Sequence, residues 1–81
     1  MTAHRITYEG PAALAVQAAT LIADAPGIEL TSANTPEPVG GRPDIVRLAL
    51  EVEATDDDVA AAVLQIGAGL PDGATVKHGP A

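Results

Sequence analysis

Three clusters in the 81-residue chain combine residue types that bind ligands or react. The first is Glu9-Gly10-Pro11-Ala12. If Pro11 opens a helix, the unpaired N–H groups of its first turn face an incoming anion or carboxylate, and Gly10 lets the backbone approach it closely. Proline also starts helices for a purely conformational reason, because its missing N–H would be unpaired there anyway. The second cluster is Asp56-Asp57-Asp58. Converging carboxylates can hold Mg²⁺ or Ca²⁺, but consecutive helical residues point in different directions, and no further oxygen ligands surround these three at a binding-loop spacing. Behind Thr55 they read as a helix start, with a capping hydroxyl and acids at the positive end of the dipole. The third is His4 with His78, which become neighbours if the first and last strands pair. Two imidazoles hold a metal only with further ligands, and the sequence places none. The expectation is no metal and no cofactor.

Catalysis has little to build on. There is no cysteine, Ser32 is the only serine, and no glycine-rich phosphate loop is present. The chain is therefore expected not to be an enzyme. Its formal charge is −7, with only Arg5, Arg42, Arg47 and Lys77 as cations. Scattered cations in an acidic field do not fit nucleic acid, which needs several aligned on phosphates, or anionic membrane surfaces. No apolar run reaches the length of a membrane span, and the first 20 residues lack a basic leader with an apolar stretch, so a cytoplasmic location is expected. Abundant Ala, Gly, Pro, Val and Asp with scarce Lys, Phe and Asn suggests a GC-rich bacterial genome or one of its phages.

The elements that must position these residues follow from periodicity. In 4–9, Ile6 and Tyr8 alternate with Arg5, Thr7 and Glu9, a half-buried strand. From Pro11 to Ala25 an Ala-rich segment puts Leu14, Ala18, Leu21, Ile22 and Ala25 on one stripe, and Pro26-Gly27 ends that helix. Residues 28–33 form a weaker strand. Residues 34–43, with three prolines and two glycines, read as a long loop. In 44–53, Val46, Leu48, Leu50 and Val52 point one way, and Arg47, Ala49, Glu51 and Glu53 the other. A helix after Thr55 carries Val59, Val63, Ile66 and Leu70 on one line, with Leu64 off it. Pro71-Asp72-Gly73 reads as a tight turn, 75–78 as a short strand and 79–81 as a tail.

The order strand, helix, strand, strand, helix, strand predicts one domain over 1–81. It is an α+β, ferredoxin-like βαββαβ sandwich, a four-stranded antiparallel sheet with two helices on one face. The first and third strands are central. The uncovered face would carry Arg5, Thr7, Glu9, Glu29, Thr31, Arg47, Glu51, Glu53, Thr75 and Lys77. It has no aromatic on which RNA bases would stack.

Two further places suit a protein partner. A long loop in a small domain is often functional, and here Val39, Gly40, Gly41 and Arg42 place a cation on flexible backbone. Leu64 is the other. The core has no Phe, no Trp and one Tyr, so aliphatics must supply it, and sharing it with a second copy is one remedy for a small domain. A homodimer is expected.

The stretches Tyr8-Glu9-Gly10-Pro11-Ala12-Ala13-Leu14, Leu21-Ile22-Ala23-Asp24, Gly27-Ile28-Glu29-Leu30 and Leu48 to Glu53 before an acidic helix start resemble the ACT family of small ligand-sensing domains. That resemblance implies the same fold and amino-acid binding at the turn Glu9 to Ala12, across a dimer. The chain departs from the family in having glycine before proline and Ala12 where glycine is usual. Two functions are expected: a non-catalytic protein-interaction or regulatory module acting as a homodimer, or, alternatively, a small-molecule sensor binding at Glu9, Gly10, Pro11 and Ala12.

Overall fold

The computed structural model describes residues 2–70 and 73–80. The elements run β1 (Thr2–Pro11), a 3₁₀ turn (Ala12–Leu14), α1 (Ala15–Asp24), β2 (Glu29–Ala33), β3 (Glu37–Val39), β4 (Arg42–Ala54), α2 (Asp56–Gly69) and β5 (Thr75–Pro80). The sheet is antiparallel, with spatial order β2-β4-β1-β5, and β3 also pairs with β4. This α+β architecture is compatible with the expected ferredoxin-like arrangement, but the strands number five and not four.

The fifth strand comes out of the segment expected as a loop. Residues 34–43 are not one long connection. After an irregular stretch at 34–36, β3 runs back along β4, with Glu37 opposite Arg47 and Val39 opposite Arg42. Gly40 and Gly41, at φ 59° and 74°, form the two-residue turn between them. Two left-handed residues in succession are what a twisted hairpin needs, and Gly-Gly supplies them without steric cost. The prolines are tolerated by position. Pro38 is on an outer strand, and Pro43 lies beyond Ile45, the last β4 residue paired with β1.

β1 is also longer than expected. Pro11 stays in the ladder, opposite Ile45. It caps the 3₁₀ turn from outside with φ −53° and ψ 134°, and α1 proper begins only at Ala15. After α1, Ala25, Pro26, Gly27 and Ile28 make a turn closed by the Ile28 N–H on the Ala25 carbonyl at 3.3 Å. Pro26 supplies a preset φ and Gly27, at φ 75°, the left-handed residue that follows it. Thr55 caps α2 as expected, its hydroxyl accepting from the Asp58 N–H at 3.2 Å. Gly79 and Pro80, expected in a tail, continue β5 opposite Arg5 and His4. Pro71 and Asp72 of the expected tight turn lie outside the described residues.

One face of the sheet is covered by both helices. Ile6 and Tyr8 of β1 and Val46, Leu48, Leu50 and Val52 of β4 are buried against Ala15, Ala18 and Ile22 of α1 and Val59 and Ile66 of α2. Tyr8, the only aromatic side chain, is fully enclosed, and its hydroxyl donates to the Pro11 carbonyl at 2.8 Å.

Burial raises the Tyr8 pKa above its ordinary value of 10.0, because the phenolate would lose its hydration. The folded state therefore keeps the proton more tightly than the unfolded chain. The associated stability is intact below pH 10 and is lost as pH rises through the higher folded value. Alkaline denaturation followed by circular dichroism should show a loss of stability above about pH 10 that Tyr8→Phe lacks. At neutral pH the same substitution should cost about 1 kcal/mol through the unpaired Pro11 carbonyl.

Candidate functional site

Strand alternation decides which side chains reach the uncovered face. On β1 these are Arg5, Thr7 and Glu9, between the inward Ile6 and Tyr8. On β4 they are Arg47, Ala49, Glu51 and Glu53, and on β5 Thr75 and Lys77. The register then sets them in rows. Arg5 stands opposite Glu51 on β4 and Gly79 on β5, Thr7 opposite Ala49 and Lys77, and Glu9 opposite Arg47 and Thr75. Directly opposed residues on one face are about 5 Å apart at Cβ, so each row is a contact set.

Two of the rows close into ion pairs. Arg47 donates from Nε and Nη2 to the same Glu9 oxygen, at 3.1 and 2.9 Å. Arg5 donates from Nη2 to Glu51 at 3.1 Å. Both pairs are about half exposed, so each is worth no more than about 1 kcal/mol and is weakened by salt. Lys77, in the middle row, has no carboxylate partner among the described residues. Around it the face dips into a depression of about 380 Å³ lined by Arg5, Thr7, Glu9, Arg47, Thr75 and Lys77, together with the end of β5 from His78 to Pro80. Three of the chain's four cations thus meet at one place in a molecule of net charge −7.

The expected turn site divides. Glu9 reaches this open face. Gly10 faces the helices and is buried, and a Cβ there would stand 2.8 Å from the Ala74 Cα and 2.9 Å from the Tyr8 hydroxyl. The closeness that Gly10 permits is thus taken up by the protein's own β5 approach and its tyrosine. Pro11 offers its carbonyl to that tyrosine, and Ala12 begins the 3₁₀ turn with its side chain exposed. The second expected group is a hairpin tip: Gly40, Gly41 and Arg42 are exposed, Val39 is half-buried, and Arg42 Nη2 lies 3.9 Å from the Asp44 carboxylate. Leu64 is 76% exposed on α2.

His4, which the sequence pairs with His78, lies on the helix-covered side of β1. It points inward and is only 9% exposed, with Nε2 at 2.8 Å from the Thr2 hydroxyl and 3.1 Å from Asp56 Oδ1. With His78 it lines a second depression, of about 440 Å³, at the end of the sheet. Among the described residues, no group of three or more His, Asp or Glu side chains is placed to hold a metal ion. No helix among them is long and apolar enough to cross a membrane. An apolar groove of about 360 Å³ runs between α1 and β2, with Val16, Ala19, Ala23 and Leu30 in its walls.

No family model matches the chain, and no curated protein matches it.

Gly10 gives the sharpest check on this geometry. Its φ is not left-handed, so Gly10→Ala tests only the space beside it. The substitution should destabilise the fold by about 1–3 kcal/mol, the cost of overpacking, lowering the unfolding midpoint by at least about 4 °C. Gly40→Ala, where no atom stands within 4 Å of a new Cβ, adds only the strain of a left-handed φ.

Proposed function

We propose that this chain is a non-catalytic protein-interaction module on a ferredoxin-like scaffold, regulatory in role and homodimeric, and that its binding surface is the uncovered face of the sheet. One observation carries this reading. The two helices occupy the other face, and Arg5, Arg47 and Lys77 gather on this one while the rest of the molecule is acidic. The complementary partner is an acidic segment of another protein. Thr7 and Lys77 are the positions to alter, because Thr7 is uncharged and Lys77 belongs to no ion pair among the described residues. Against a lysate of the source organism, the native protein should retain partners that a Thr7→Glu, Lys77→Glu variant of equal stability loses. Identical sets from the two would overturn the reading.

Self-association draws support from the core and from the sheet edge. The core is aliphatic apart from Tyr8. Among the described residues the outer side of β2 has no strand beside it, and Val16 and Leu30 are exposed on that flank. Sedimentation at high micromolar concentration should give twice the chain mass. A strict monomer there would remove the homodimer from the proposal.

A second reading, small-molecule sensing of the ACT-like kind, is favoured by the position of Glu9, which lines the same depression as Lys77. On that reading the ligand lies on the sheet face and not at the helix start, because Ala74 and the Tyr8 hydroxyl fill the space beside Gly10.

A further inference from the structure

We infer that the depression between Lys77, Arg5 and Arg47 is a binding site for one compact oxyanion, the phosphate or carboxylate end of a ligand, with Lys77 as its anchoring cation. This rests on the reading of the open face as the binding surface and adds the chemical class that the face selects.

Lys77, in the middle row of the face, is a charge without a carboxylate partner among the described residues. Opposite it, the Thr7 hydroxyl is half-buried and makes no hydrogen bond to another described residue. It is therefore a free donor at the floor of the same depression. On the far side of Thr7 stands Ala49, whose small side chain leaves that floor open. Thr7 and Lys77 are directly opposed, with Cβ atoms about 5 Å apart, so a hydroxyl and an ammonium rise from one row and can donate to the same anion.

The two arginines complete the set. Arg47 gives Nε and Nη2 to Glu9, and Arg5 gives Nη2 to Glu51, so Nη1 of each guanidinium remains for another acceptor. Because both pairs are exposed and weak, an arriving anion can draw either guanidinium toward itself at little cost. The acceptor must be compact. Glu53 stands opposite Glu29 beyond the Arg5 row, and Glu37 stands opposite Arg47, so carboxylates border the depression along the sheet. A single oxyanion sits inside that border, whereas an extended polyanion crosses it and is repelled.

Thermal unfolding of the full chain at constant ionic strength tests this, with inorganic phosphate and acetate as probes against chloride. Saturating phosphate or acetate should raise the midpoint by at least about 4 °C, and amide shifts in a titration should concentrate on Thr7, Thr75 and Lys77. Lys77→Ala should weaken the affinity about tenfold or more, and an Ala substitution at Glu37, on the border, should not. A response to phosphate alone assigns a phosphate group, and a response to acetate alone a carboxylate. No response beyond chloride, or a response that Lys77→Ala leaves unchanged, overturns the site. The probe is the bare anion, so such a failure is distinct from failure of the partner reading, which is decided by retention of protein partners in the native chain and the Thr7→Glu, Lys77→Glu variant.

Discussion

The rest of the structure depends on the missing side chain at Gly10. The last inward position of the central strand before the 3₁₀ turn is left empty, and the Tyr8 hydroxyl and Ala74 occupy the space from two sides. Tyr8 then reaches the Pro11 carbonyl and fixes where β1 stops and the chain turns toward α1. Ala74 brings the start of β5 alongside β1 in the register that sets Thr75 opposite Glu9 and Lys77 opposite Thr7. In a core otherwise aliphatic, one phenol and one absent Cβ thus decide both the corner and the placement of the edge strand. A larger residue at 10 shifts the backbone of β5, and with it the side chains that β5 brings to the open face.

That dependence links the two faces of the sheet. On β1 the inward residues Ile6, Tyr8 and Gly10 set the depth of the core, and the outward residues Arg5, Thr7 and Glu9 carry the polar surface. Period-two alternation allows no adjustment of one set without the other. The ion pairs Glu9–Arg47 and Arg5–Glu51 are cross-strand neighbours by the same register that pairs Tyr8 with Leu48 and Ile6 with Leu50 in the core. Their weak energies do not hold the sheet together. Burial of Ile6, Leu50 and Val52 does so, and the charges follow from it.

Much of this was legible in the sequence. The alternation in 4–9 and 44–53, the Thr55 cap and the apolar line Val59, Val63, Ile66 and Leu70 place their elements because each pattern is local and needs no partner to be recognised. The misjudged segment was 34–43, where three prolines outweighed Gly40-Gly41. Proline forbids a central strand but not an outer one, and whether a strand is outer depends on pairing that a single segment does not show. The surroundings of His4 were not legible either, because they come from Asp56 and Thr2, contacts more than 50 residues apart in one case and local in the other. The depression was the least legible feature. The open-face residues follow from alternation, but bringing Arg5, Arg47 and Lys77 to one place requires the register of three strands. At Glu9 to Ala12 the local string suggested a ligand site, and the register gives Gly10's space to Ala74.

Net charge was also a poor guide to local potential. At physiological ionic strength charges are screened over about 8 Å, while the helices lie on the other side of the sheet. Asp56, Asp57 and Asp58 begin α2 on that side and act on the depression only weakly. Lining the depression itself are Arg5, Arg47 and Lys77 against Glu9, with Glu51 paired to Arg5 and with Glu37 and Glu53 at the border. The total of −7 governs the approach of anything long enough to sample the whole surface. A small anion, or one acidic side chain at the tip of a partner, senses only the depression. An acidic protein can therefore bind an anion on one face of its sheet without binding polyanions, provided the strand register keeps its few cations together.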